Sequence, residues 1–399
     1  MEGSISFIPQ IPNDIIFDVL SRLPVKTLVR FCCICKFWQK LITSDHGFIQ
    51  SQLQNSVKRL TGYENVLLSS CVGDSPQDFT CKEDPNSQPI KFSKKLVTAS
   101  EKSAGFRLYF KEDKFTMAGC CDGVICFVQF SKHNFNVNLE FMIYLCNPAL
   151  CQCRALPPGH YQGKFFSWDT IVSFFFDPVI HDYKVVKIIP KFSSFLVEIY
   201  SPSSNTWKPL SLKISPCPQR ILQRPLVHKG FPYWISQSQQ DSSHLVLNVL
   251  DITQEKIRRI SFPDRVRLQY ANLILFQGSL SVFGCNFKHQ NELWVMTEDK
   301  KGSISWTKQL VVPDISHAYP LSNRTTGITA SGRQFISSLG ATVHSYDPKN
   351  QKLEMHTEML LDGWRQKYVV ADYVASLVSV IPPPVENDFY HGQILAWEK

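Results

Sequence analysis

The sequence predicts a multidomain α+β chain. A small N-terminal head of three to four helices precedes an all-β propeller of about six or seven blades. Three observations lead there. Apolar residues fall at helical spacing up to about residue 53 and at a spacing of two beyond residue 60. The apolar runs after that switch, such as 171–176 and 141–146, have strand length and are rich in β-branched and aromatic residues. A turn phrase then recurs about every fifty residues.

The head is read from its periodicity. Ile15, Ile16, Val19, Leu20 and Leu23 share one helical face, Pro12 suits the first turn, and Asp14 places negative charge at the helix N-terminus. Pro24 ends that helix, because the residue before a proline avoids the α region. A second helix runs from Val25 with Leu28, Val29, Phe31 and Cys32 apolar. A third covers 36–42, burying Phe37, Leu41 and Ile42, and Ser44-Asp45 caps a fourth over 48–53. So few short helices cannot bury all their own apolar surface, so a partner is expected to cover an exposed apolar face.

These residues carry a resemblance. The stretch from Ile11-Pro12-Asn13-Asp14 through Leu23-Pro24-Val25-Lys26 and Arg30-Phe31, continuing with Cys35-Lys36-Phe37-Trp38, Leu41-Ile42 and Phe48, resembles an F-box. The departure is Ile11, where the family more often has Leu. The resemblance implies docking on the Skp-type adaptor, and through it on the cullin and RING subunits of a ubiquitin ligase. Carried over position by position, the resemblance implies that Ile11, Pro12, Ile15, Ile16, Leu20, Leu23, Pro24, Leu28 and Val29 lie on or beside the adaptor-binding face. Phe31, Trp38, Leu41 and Ile42 are expected in the bundle core instead, whereas Pro12, Leu23, Pro24 and Leu28 are expected at the interface.

In the body, an apolar strand ends in a polar turn residue at positions 147, 201, 251, 297 and 347, intervals of 54, 50, 46 and 50. That is close to a kelch-type period of ~50 residues per blade. A second phrase, strand–Gly–strand, lies around Gly123, Gly230 and Gly278. Two hairpins per period make a four-stranded blade. Asp122-Gly123-Val124-Ile125-Cys126, Asn147-Pro148-Ala149, Asp182-Tyr183-Lys184-Val185-Val186, Glu198-Ile199-Tyr200-Ser201 with Trp207, Pro232-Tyr233-Trp234, Glu292-Leu293-Trp294-Val295-Met296 and Tyr373-Val374-Ala375-Ser376-Leu377-Val378 are similar to plant F-box-associated domains, including those of self-incompatibility. Ser173-Phe174-Phe175-Phe176 stands where that family usually has glycines, which puts the local backbone there in question. The domains expected are a 7–53 F-box, a 54–115 connecting segment or first blade, a 116–380 propeller-like substrate domain and a 381–399 tail.

Composition excludes other classes. Net charge is 42 − 34 = +8, with the basic residues scattered, so nucleic acid is not expected as a ligand. Apolar runs of about six residues fall far short of the ~20 that span a bilayer, so no membrane is expected. The N-terminus shows no secretory signal, so the thirteen cysteines are expected as reduced thiols in the cytoplasm or nucleus, and the sequon at Asn323-Arg324-Thr325 as unused. Cys32-x-x-Cys35 lacks a second ligand pair and predicts no metal. No phosphate loop, nucleophile elbow or cofactor motif is present. Trp207, Trp234, Trp294 and Trp306 recur at blade-like positions and are expected in inter-blade packing. Arg258, Arg259, Arg265 and Arg267 form the densest positive stretch and are weak candidates for an acidic feature of a target.

The expected function is non-catalytic: a substrate-recognition subunit of an SCF-type ligase, with specificity in surface loops at 159–168, 212–224, 237–244 and 314–324. Two rivals are a non-degradative kelch-like scaffold and a propeller enzyme. The first predicts a dispensable head. The second requires a metal or a carboxylate pair at the propeller mouth.

Overall fold

The computed structural model describes residues 11–59, 66–71, 79–82, 90–92, 114–130, 141–150, 152–161, 170–177, 180–191, 194–210, 225–237, 245–262, 268–286, 291–299, 302–312, 324–328, 334–337, 343–347, 352–356 and 367–381. Four helices open the chain: α1 Asn13–Ser21, α2 Val25–Phe31, α3 Lys36–Ser44 and α4 His46–Arg59. Pro12 and Pro24 stand at the N-caps of α1 and α2, where the missing N–H goes unused. The Pro12 carbonyl accepts from the Ile15 and Ile16 amides, and that of Pro24 from Thr27 and Leu28. Asp45 caps α4 by accepting from the Phe48 amide at 2.8 Å, and α4 runs past the expected 48–53 to Arg59. Phe17 meets Phe48 edge-on with centroids 5.2 Å apart, which fixes α1 on α4.

The rest is β. Six four-stranded antiparallel sheets follow one another. Blade 1 holds β4 Lys114–Cys121, β5 Val124–Phe130, β6 Phe141–Asn147 and β7 Gln152–Ala155. Blade 2 holds β8 Ile171–Asp177, β9 Asp182–Lys191, β10 Ser194–Ser201 and β11 Thr206–Leu210. Blade 3 holds β12 Leu226–His228, β13 Phe231–Gln237, β14 Leu245–Asp251 and β15 Lys256–Ser261. Blade 4 holds β16 Leu268–Phe276, β17 Ser279–Asn286, β18 Asn291–Glu298 and β19 Ile304–Val312.

Two further sheets are described by backbone pairing. One holds β20 Arg324–Ile328, β21 Gln334–Ser337, β22 Val343–Asp347 and β23 Lys352–His356. The other joins β1 Val66–Cys71, β2 Phe79–Lys82 and β3 Ile90–Phe92 to β24 Lys367–Asp372 through β1, with Val66 opposite Asp372. Described side chains thus define four blades rather than the six or seven expected from the period. Within the 54–115 segment, 54–59 belong to α4, and β1, with β2 and β3 paired in turn beyond it, pairs with β24 near the far end of the chain.

Turn chemistry explains the hairpins. Asn147, Ser201, Asp251, Thr297 and Asp347 each lie at or next to the end of the third strand of their sheet, the place the recurring phrase marked. Gly123, Gly230 and Gly278 sit between first and second strands with φ of +76°, +80° and +75°, and the residue before each is also left-handed. In blade 2 His181 takes the positive-φ place at +51°. Residues 173–176, where the family usually has glycines, form regular ladder opposite Val186 to Tyr183. Trp207, Trp234, Trp294 and Trp306 are all buried. Trp234 packs on Phe195 of blade 2, so this tryptophan does bridge blades as expected.

One buried cluster runs without a break from the head (Leu20, Val25, Leu28, Ile42, Phe48) into blade 1 (Val124, Cys126, Leu145) and blade 2 (Phe174, Val185, Trp207). It also takes in Leu377, Val378 and Val380 of an extended segment after β24. That segment crosses the first hairpin of blade 1 so closely that a Cβ on Gly123 would collide with the Val374 carbonyl oxygen and the Ser376 hydroxyl. Gly123→Ala is therefore expected to destabilise by more than the ~1 kcal/mol of backbone strain alone. Gly278→Ala, at the same φ with nothing near its Cβ, isolates that strain. Thermal denaturation of the two variants checks the difference; equal losses would mean the segment does not press on the turn.

Candidate functional site

The helical head carries two apolar stripes. Ile16, Phe17 and Leu20 turn inward, whereas Ile11, Ile15 and Val19, spaced four apart, turn outward at 60%, 53% and 53% exposure. Val29, Ile34 and Phe37 add to the exposed apolar surface. Isolated apolar residues are ordinary on a surface; several on one small bundle mark an interface.

Of the nine positions assigned to the adaptor face, Ile11, Pro12, Ile15, Pro24 and Val29 are exposed and Ile16 and Leu23 are half-buried. Leu20 and Leu28 are corrections: at 4% and 0% exposure they belong to the core. Leu28 is covered because α2 packs on its other side against a 3-10 turn at Pro148–Leu150 in blade 1. The Leu20 side of α1 is closed by α4. Among the residues expected in the bundle core, Ile42 is fully buried, Phe31, Trp38 and Leu41 are half-buried, and Phe31 meets Trp38 at 5.2 Å. Phe37, expected to be buried by the third helix, is exposed instead, and Val19 and Ile34 were not placed on the adaptor face, although the Ile11-Ile15-Val19 spacing carries that signal.

The blades present two unlike rims. First-to-second and third-to-fourth strand turns in blades 1–4 are two to five residues long and lie on one rim, the one that meets the head. The strand ends that flank the second-to-third connections and the crossovers between blades lie on the opposite rim, and the intervening stretches of sequence reach fifteen residues, at 156–170 and 211–225. All four loops nominated from sequence are flanked by strands ending on that long-loop rim. Residues 212–224 and most of the other three lie outside the described residues.

The start of the 159–168 loop is described, and a buried ion pair holds it. Lys187 of β9 and Glu198 of β10 are register partners, 3% and 0% exposed, and their charged ends meet. Glu198 Oε2 also accepts from the His160 amide at 2.8 Å, and Lys187 donates to the Tyr161 carbonyl at 3.1 Å. Trp207 lies 5.0 Å from the ammonium and donates its indole N–H to the Pro157 carbonyl at 2.7 Å. A Cβ on Gly159 would strike the Glu198 carboxylate. Burial pulls Lys187 below its ordinary pKa, against the opposing pull of Glu198.

The arginine cluster does not form one described patch. Arg258 pairs with Glu298 of blade 4 at 3.4 Å, both partly exposed, and Arg259 lies next to it on β15. Arg265 and Arg267 lie outside the described residues. Such an exposed pair contributes about 0–1 kcal/mol.

The cysteines divide. Cys146 and Cys153 are cross-strand partners in blade 1, and direct register pairing brings their sulfurs together. Burial, with the Asp122 charge beside it, pushes the Cys121 thiol up to about 12, and burial raises Cys126 as well. Both are thus poor thiolate nucleophiles. Cys35 caps α3 by accepting from the Trp38 amide, and Cys32 faces the Leu28 carbonyl, so the C-x-x-C pair is occupied by helix ends. No group of three metal-ligating side chains occurs among the described residues.

Comparison with known proteins follows this division of the chain. Residues 8–50 match the model of the F-box domain, and residues 78–359 match that of the F-box associated beta propeller domain. F-box protein At1g67130 of Arabidopsis thaliana is 25% identical over 357 residues, covering 86% of this chain and 71% of that protein. Putative F-box protein At2g16220 of the same plant is 22% identical over 423 residues, covering 94% and 95%.

Proposed function

Since this chain belongs to the F-box-associated β-propeller family and carries an F-box, we propose that it is the substrate-recognition subunit of an SCF-type cullin–RING ubiquitin ligase. The observation that carries this reading is the outward apolar stripe of the head, on the side of α1 away from the packed core. Ile11, Pro12, Ile15, Val19 and Val29 contact the Skp-type adaptor, with Leu23 and Pro24 at the margin. The protein target is received on the long-loop rim, away from the rim that meets the head.

Catalysis of the transfer belongs to the ubiquitin-conjugating enzyme that the ligase recruits. The contribution of this chain is proximity: holding a target lysine near the charged enzyme raises its effective concentration by orders of magnitude. The raised Cys121 and Cys126 thiols fit a receptor that takes no covalent part. The complex works in the cytoplasm or nucleus.

Reconstitution tests the proposal. With adaptor, cullin, RING subunit and the two upstream enzymes, the chain is expected to gain ubiquitin conjugates that vanish when the adaptor is omitted. Conjugates that form equally well without the adaptor would contradict it.

A further inference from the structure

Resting on that reading, we infer that the extended C-terminal segment 373–381 is a strap that fixes the head on the propeller, with Asn147 as its keystone. Asn147 ends β6, is fully buried, and uses both ends of its amide. Its Oδ1 accepts from the Ala149 and Leu150 amides at 2.9 and 3.4 Å, shaping the turn on which α2 of the head rests. Its Nδ2 donates to the Ser376 and Val378 carbonyls at 3.1 and 2.7 Å, so the same side chain grips the strap 229 residues further along. One amide therefore joins the seat of the head to the segment that runs beside it.

The strap is held at three more points. Ser376, also fully buried, donates its hydroxyl to the Asp122 carbonyl in the first turn of blade 1 and accepts from the Val378 amide at 3.3 Å. Gln152 of β7, register partner of Asn147, accepts from the Ser379 hydroxyl and the Val380 amide, both at 3.1 Å. Leu377, Val378 and Val380 enter the buried cluster shared by head and blade 1. An extended segment with no strand partner spends its backbone groups on side chains, here Asn147 and Gln152 of the blade-1 rim under the head together with the strap's own Ser376 and Ser379. The strap follows β24 directly, so closure of the last sheet and seating of the head are coupled.

A head free to swing would present target lysines to the conjugating enzyme over a wide range of positions. A strapped head limits them, which makes Asn147, Gln152 and Ser376 positioning residues for ubiquitin transfer.

The test is Asn147→Asp in the full chain bound to the adaptor. The substitution keeps an oxygen for the 149 and 150 amides but sets a carboxylate oxygen against two carbonyls. Hydrogen exchange should rise at least about tenfold at 374–381 while β9 and β13 stay unchanged, and adaptor affinity should stay within about twofold. Small-angle scattering should show a more extended particle, and self-ubiquitination in the reconstituted ligase should spread over more lysines. Gln152→Met, which frees only Ser379 and Val380, should show the same changes on a smaller scale and serves if Asn147→Asp does not fold. Unchanged exchange at 374–381 would overturn the keystone role. A released strap with an unchanged particle and lysine map would overturn the positioning role. If wild type forms no conjugates at all, the ligase reading fails, while exchange and scattering still decide the strap.

Discussion

Lys187→Met is expected to destabilise the propeller by about 3–5 kcal/mol, because it removes the buried ammonium that meets the fully buried Glu198. The partners left to that carboxylate are the His160 amide at 2.8 Å and the exposed His160 imidazole at 3.6 Å, little for a full charge in a low-dielectric site. Breaking one partner is costlier than never having buried the pair. The double variant Lys187→Met, Glu198→Leu should therefore recover most of the loss while leaving the His160 amide unsatisfied, a smaller penalty of about 1–3 kcal/mol. Equilibrium urea denaturation of wild type and both variants reads these differences. A single variant within ~1 kcal/mol of wild type would mean that the pair is solvated in solution. The pair also anchors 157–161 at the foot of a long-loop crossover, so the single variant should speed proteolysis there before the blades unfold.

Leu28→Asp and Ile15→Asp should part ways although both put a carboxylate on the head. Leu28 is fully buried between the head helices and blade 1, and an unpaired carboxylate there costs several kcal/mol, which a bundle this small cannot absorb. Loss of helical signal and of adaptor binding together is expected. Ile15 is about half exposed, so Ile15→Asp should leave the melting temperature within a few degrees while weakening the adaptor complex. Circular dichroism beside a binding titration separates the two. If Leu28→Asp folded normally and lost only the adaptor, the inward placement of α2 would be wrong.

Leu28 also shows where the sequence stops being informative. The spacing of Leu20, Leu28 and Val29 marks apolar helix positions, but in a seven-residue helix nearly every apolar side chain is one turn from both faces. Which face is covered depends on the turn at Pro148–Leu150, more than a hundred residues away. The hairpins were legible because their turns are local: Gly123, Gly230 and Gly278 satisfy positive φ on the spot, and the phrase at 147, 201, 251, 297 and 347 lands on equivalent strand ends. Pairing between β1 and β24 was not legible, since no local pattern joins Val66 to Asp372.

The strap was hidden for a related reason. Tyr373 to Val378 carry a family likeness in sequence, yet without a ladder partner their role lies in side chains from blade 1. The Lys187–Glu198 pair likewise gave no signal, because alternating strands place many charges opposite one another and only burial singles out this one.

The account stands on the outward stripe of the head, and the most direct measurement is calorimetric titration of the full chain with a purified Skp-type adaptor. Wild type should bind one adaptor per chain, and Ile15→Asp, Val29→Asp should weaken binding roughly a hundredfold at unchanged fold, while Arg258→Glu should have no effect. A folded wild-type chain that binds no adaptor, or binds it equally well with the stripe charged, would contradict the account.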